Sequence, residues 1–250
     1  MPDQLKFPEG HYVIDVGMHD GADSMYYARR GFKVIAFEAN PVLAQAGQDK
    51  FEEFGFDIAV RNLAISDKAG QKVKFYVNTE RPQWSSLDSA LGTREGGATE
   101  IEVASCNLAD ELAPLGDRIH MVKIDIEGYD YVAVQQISLL RHKPAYISVE
   151  NGGVYFINLM SEMGYQKFKF ANQKYNSAQR ILSNSKHGHP VDLTFLPHSS
   201  GPFGEDLPGR WLTKAEALKV GEALELGRQK APDNLRPKNS IPSIAKDVAA

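Results

Sequence analysis

One stretch near the start of this 250-residue chain, YVIDVGMHDGADSMYYARRGFKVIAFEANP, constrains its fold more than any other feature. An apolar, β-branched run over 11–16 ends at Gly17, and a helical segment over 23–30 closes at Gly31. A second apolar run over 32–38 then ends in an acid, Glu38. Short continuous apolar runs joined through a helix are the pattern of parallel strands buried on both faces. Asn40-Pro41 opens a further helix to about Phe54, with Pro41 in its first turn, and 56–65 reads as a third strand. This alternation predicts an α/β chain with a doubly wound, mostly parallel sheet and helices on both faces.

Beyond it, residues 71–78 and 99–105 alternate polar and apolar positions, as strands with one solvated face do. Between them runs a long loop, 79–98, and such loops are usually functional. Regular alternation returns with strands at 119–125 and 144–150 and helices at 129–140 and 154–164. Segments 165–170 and 191–196 are expected to pair as a closing antiparallel hairpin. A single domain is predicted over 1–212, with pocket-shaping loops at 79–98, 172–190 and 197–211. A polar helix over 213–230 and a loosely ordered tail over 231–250 follow it.

Ligands on such a sheet bind at the carboxyl ends of the strands. The turn after the first strand is Asp15-x-Gly17-x-x-x-Gly21. His19 stands where a dinucleotide fingerprint has its middle glycine, and its side chain would crowd a pyrophosphate. No G-K-[ST] follows, so a P-loop is excluded. A ligand with an adenosine and no phosphate fits the turn, with Glu38 accepting both ribose hydroxyls. Asp15 would orient the loop or meet an ammonium group. S-adenosylmethionine has that chemistry. An ordinary glycine turn in an α/β protein and a nicotinamide-dependent oxidoreductase are the competing readings, as is a non-catalytic cofactor-binding domain.

The motifs VIDVGMHDGADS, VIAFEANP, NLAISDKAG, VKIDIEGYD and ISVEN, in this order and spacing, resemble the FkbM-type family of S-adenosylmethionine-dependent methyltransferases. The resemblance covers about 11–152 and continues more weakly through SSGPFGEDLPGRW. It implies a class I methyltransferase (Rossmann-like) fold, a seven-stranded sheet whose last strand is antiparallel. It implies O-methylation of a small molecule, often a sugar or polyketide product. By this resemblance the cofactor contacts fall at Asp15, Gly17, Met18, His19, Gly21, Glu38, Ala39, Asn62, Ala64 and Asp125. His19-Asp20 departs from the small or amide residues common at those places.

Methyl transfer to oxygen needs positioning and a base or metal that makes the acceptor nucleophilic. Asp125, Glu127 and Glu150 lie at neighbouring strand ends, and Asp125 or Glu127 is the candidate base. Glu127 could equally cap the next helix. Alternatively Asp125, Glu150 and Asn151 form an acid, acid, amide set similar to the magnesium site of catechol O-methyltransferases. Trp84, Ser85 and Ser86 are candidates for the acceptor wall or for plain surface. His187, His189 and His198 read as solvated loop residues.

A net charge of −4 with no Lys/Arg run argues against a nucleic-acid partner. The single cysteine, Cys106, fits a reducing compartment and reads as a small core residue. With no apolar run long enough for a bilayer and no leader-like N-terminus, a cytoplasmic protein without a membrane partner is expected. The expected partner is a small hydroxylated acceptor, with a homo-oligomer left open.

Overall fold

The fold is described from a computed structural model, which covers residues 10–150, 153–178, 185–196, 199–230 and 246–249. The expected opening alternation is present: β1 (Tyr12–Val16), α1 (Ala22–Arg29), β2 (Lys33–Phe37), α2 (Pro41–Glu53) and β3 (Ile58–Arg61). Local chemistry sets these boundaries. The Asn40 side chain accepts from the Val42 N–H at 3.0 Å with Pro41 at the first helical position. Asp20 accepts from the Ala22 N–H at 3.0 Å where α1 begins.

The run expected as one strand over 56–65 divides. Its first part is β3; its second, β4 (Ala64–Ile65), joins another sheet. Asn62 sits at the break, its amide donating to the carbonyls of Glu38 and Ala39. Then come β5 (Lys72–Asn78), α3 (Ser89–Gly92), β6 (Ala98–Cys106), α4 (Leu108–Leu112), β7 (Ile119–Ile124), α5 (Asp130–Ile137), β8 (Tyr146–Glu150), α6 (Val154–Glu162), β9 (Phe168–Ala171), α7 (Lys214–Lys230) and β10 (Lys246–Ala249).

The main sheet runs β3-β2-β1-β7-β8-β10-β9. Its first five strands are parallel, and β10 lies antiparallel between β8 and β9. A separate three-stranded sheet, β4-β6-β5, stands beside it. The expected sheet closed by a hairpin of 165–170 with 191–196 is therefore corrected. The antiparallel strand comes from 246–249, inside the tail expected to be loosely ordered. Residues 191–196 alternate for another reason: Phe195 is buried and meets Tyr26 of α1 edge-on, with ring centroids 4.9 Å apart.

The core is split by the sheet. One side gathers Ile14, Val16, Val122, Ile124, Ile147 and Val149 with Leu108, Val134 and Ile157, and Cys106 is buried there as expected. The other gathers Val13, Val34, Ala36 and Met121 with Tyr26, Tyr27 and Phe51. This two-sided burial is why the strand sequences are continuously apolar. Among the described residues, no helix is long and apolar enough to cross a membrane.

Candidate active site

The carboxyl ends of β1, β2 and β7 open into a cleft. Of the expected cofactor residues, Gly17, His19, Glu38, Ala39, Ala64 and Asp125 line it, and so does Glu127. At Gly17 the backbone has φ +87°, and a β-carbon there would fall 1.9 Å from the Asp125 carbonyl oxygen. Glycine is thus required by both conformation and space. His19 and Glu127 are non-glycine residues with positive φ, 53° and 47°. Both line the cleft, whereas a third such residue, Glu95 at φ 51°, lies outside its lining.

Glu38 ends β2 with both carboxylate oxygens held. One accepts from the His19 N–H at 2.8 Å, the other from the Asn40 N–H at 2.9 Å. Burial raises its pKa to about 7 against the pull of these bonds. A carboxylate offers about four lone-pair sites, so acceptor capacity toward a pair of ribose hydroxyls remains. Beyond Glu38 the cleft becomes apolar, walled by Ala39, Leu43, Leu63, Ala64 and Phe75. A carboxyl acceptor for ribose, a glycine backbone that a ligand can approach closely and an apolar slot fit an adenosine.

Four expected contacts lie outside the lining. Met18 is buried against Gly47, and Gly21 packs on Phe51. Asn62 braces the Glu38–Ala39 backbone. Asp15 is fully buried beneath the turn, 2.9 Å from the Lys123 ammonium and accepting from the Ser24 hydroxyl at 2.6 Å. Lys123 also donates to the Gly17 carbonyl at 2.6 Å. Asp15 therefore orients the loop rather than facing a ligand's ammonium. Burial opposes the charge on Lys123, but Asp15, Asp125 and Asp23 outweigh it and hold the ammonium above its ordinary pKa.

The three expected acids converge, Asp125 and Glu127 in the cleft lining and Glu150 just outside it. Oxygens of Asp125, Glu127 and Glu150 lie within 4.8 Å of one another. Burial, then the Asp125 charge, raise the pKa of Glu127 to about 7, while Arg94 opposes them. Arg94 Nη2 is 2.7 Å from Glu127 Oε2. Glu127 does not cap α5. Asp130 holds that turn instead, accepting from the N–H groups of Ile126 and Gly128 at 3.3 and 3.2 Å. Asn151, the amide of the expected metal set, lies outside the described residues. The acids that meet carry a guanidinium on Glu127, a poorer match to a dication than the expected set, and we assign no metal to them.

The loop 79–98 contributes more than an outer wall. Pro82, Gln83, Ser85 and Leu87 line the cleft. Ser86 is buried and donates to the Glu127 carbonyl at 2.7 Å. Trp84 lies beneath two cations, with the Arg81 and Arg94 guanidinium carbons 4.2 and 4.6 Å from its ring centroid. Sequence reasoning missed Arg94, Gln83, Lys123 and Tyr129. Only the last two had a signal, since both flank the acid motif.

Residues 15–176 match the family described as the methyltransferase FkbM domain. The chain belongs to that family. No curated protein sequence matches it. Similar solved structures include precorrin-6y C5,15-methyltransferase from Geobacter metallireducens, 11% identical over 76% of this chain and 79% of that one, TM-score 0.39. The tRNA (uracil-54, C5)-methyltransferase of Pyrococcus abyssi, solved with S-adenosyl-L-homocysteine, is 16% identical over 66% and 31%, TM-score 0.38. Geranyl diphosphate C-methyltransferase from Streptomyces coelicolor A3(2) is 9% identical over 68% and 59%, TM-score 0.40. Membership in the FkbM family decides for methyl transfer over the nicotinamide reading.

Proposed function

We propose that this FkbM-domain protein methylates a hydroxyl of a small molecule, a sugar, glycoside or other secondary metabolite, with S-adenosylmethionine as donor. The observation that carries this reading is the placing of Glu127 in the strand-end cleft, 2.7 Å from the Arg94 guanidinium and with a carboxylate oxygen within 4.8 Å of one of Asp125, where burial and the Asp125 charge raise its pKa to about 7. A general base works best when its pKa lies near the working pH.

The donor supplies an electrophilic methyl group and leaves as a neutral thioether. The protein's share of the reaction is then positioning and proton removal. Gly17 and Glu38 hold the nucleoside, and the Lys123–Asp15 pair fixes the turn that presents them. Glu127 takes the hydroxyl proton as the acceptor oxygen forms its new bond to carbon. Arg94 favours the ionised form of that carboxylate, and Asp125 and Glu150 offer acceptors to neighbouring hydroxyls. Burial under Ser86 and the 82–87 turn limits water at this point.

Calorimetry with S-adenosylhomocysteine tests the cofactor half, with NAD as control. A screen of hydroxylated acceptors, read by mass spectrometry for a gain of one methyl, tests the other half. Binding of NAD and not S-adenosylhomocysteine would sink the proposal. A methyl found on carbon or nitrogen would keep the family chemistry and reject the hydroxyl.

A further inference from the structure

The cleft has two walls of different origin. One is the set of strand ends, which the main sheet requires. The other is the turn 82–87, carried by the connection between β5 and β6 in the smaller sheet. That turn is fixed on both sides. Ser86 exchanges backbone bonds with Tyr76 at 2.9 and 3.1 Å, and its hydroxyl reaches the Glu127 carbonyl. The Ser85 hydroxyl donates to the Pro82 carbonyl at 2.7 Å and accepts from the Asn78 N–H at 3.1 Å. Leu87 packs into the apolar cluster of Ala39, Ala64 and Phe75. The turn therefore spans from the acids to the apolar slot.

Most polar side chains that line the cleft are already engaged. Glu38 holds two backbone N–H groups, Ser85 holds its own turn, and Glu127 is paired with Arg94. Gln83 is exposed at the cleft, and no described residue hydrogen-bonds its side chain. A carboxamide presents an acceptor and two donors in one plane. This is the complement of an adenine edge, an amino donor beside a ring nitrogen, and Gln pairs with adenine in this way in nucleic-acid recognition.

We propose that the 82–87 turn is the cover of the cofactor and that Gln83 reads its nucleobase, an inference that rests on the methyltransferase reading above. The loop expected to shape the acceptor pocket thus serves the donor as well. Gln83 selects adenine over a base that lacks the exocyclic amino donor, such as unsubstituted purine, to which the carboxamide makes one hydrogen bond and not two.

The test is calorimetric titration of the whole protein with S-adenosylhomocysteine and with its analogue carrying unsubstituted purine in place of adenine, for wild type, Gln83→Ala and Gln135→Ala. Wild type is expected to bind the adenine compound about tenfold tighter or more, the range of one discriminating base contact. Gln83→Ala should weaken that compound and bring the two affinities together, with an unchanged melting temperature. Gln135→Ala, at an exposed position of α5 outside the cleft lining, should keep the wild-type ratio. A Gln83→Ala protein that retains the ratio, or a wild type that binds both equally, overturns the assignment of Gln83 and leaves the methyltransferase reading standing. A wild type that binds neither overturns both.

Discussion

Arg94 Nη2 lies 2.7 Å from Glu127 Oε2, and both side chains are largely buried, at 8% and 15% exposure. This pair joins the 79–98 loop to the acid that we propose as base. Removing Glu127's charge should stop proton removal and spare cofactor binding. Glu127→Gln is expected to lower turnover about 10²–10⁴-fold, the usual worth of a general base, with the Kd for S-adenosylhomocysteine unchanged. Calorimetry and steady-state rates on the same preparation check it. Full turnover would remove Glu127 from the chemistry.

Arg94 stabilises the ionised form of Glu127, so its loss must raise the pKa of that acid above about 7. A base is active when deprotonated, and its activity falls as pH drops through its pKa. For Arg94→Gln the acidic limb of the rate profile should therefore move to higher pH, with activity recovering in alkaline buffer. Arg94→Lys should shift it less, since a lysine keeps the charge without the planar fork. An acidic limb that stays in place would show that Arg94 only holds the loop.

Gly17 separates conformational strain from steric clash. Gly55 has φ +70° with nothing near its missing β-carbon, whereas at Gly17 that carbon would strike the Asp125 carbonyl. Gly55→Ala should cost about 1–2 kcal/mol, the left-handed penalty alone. Gly17→Ala should cost more, and it should also abolish binding of S-adenosylhomocysteine by displacing the turn. Equal urea midpoints for the two variants would contradict this.

Much of this was legible in the sequence, for physical reasons. Strands buried on both faces write continuous apolar runs, so β1, β2, β7 and β8 could be read, and with them the strand-end acids Asp125, Glu127 and Glu150. Arg94 could not, because it reaches Glu127 from a charged, glycine-rich loop with no period. β10 escaped notice for its length, four residues of KDVA in a polar tail. His187 was expected in solvent among loop residues, yet it is 2% exposed, and no local pattern reports that a loop folds back onto the sheet. His189 is exposed as expected, and His198 lies outside the described residues.

Lys123 and Asp15 form a pair with side chains only 4% and 0% exposed. Losing one partner strands the other charge away from water. Lys123→Met should cost about 3–5 kcal/mol in urea unfolding, and the double change Asp15→Asn with Lys123→Met should cost less than the sum of the single changes. Additive single effects would mean that the two side chains contribute separately.

His187 and His120 give stability a pH dependence of known sign. His187 Nε2 accepts from the Glu205 N–H at 2.8 Å, so a neutral ring carries its proton on Nδ1. That nitrogen is 3.3 Å from His120 Nε2 and donates to it. Protonating either ring sets a donor against a donor. Burial first, then the neighbouring His187 and His11, lower the pKa of His120 to about 3. Burial, with the Arg30 and Lys169 charges against those of Asp206 and Glu205, lowers that of His187 to about 4. Both folded values lie below the unfolded value near 6.5, so the unfolded chain binds protons that the folded chain refuses. This contribution is complete above pH 6.5 and is lost as pH falls toward 4, by up to about 1.4 kcal/mol per pH unit for each proton. His187→Gln keeps an acceptor for Glu205 and removes one titrating ring, so its stability should fall less steeply between pH 6.5 and 4. Parallel curves for variant and wild type would mean that this pair does not govern acid sensitivity.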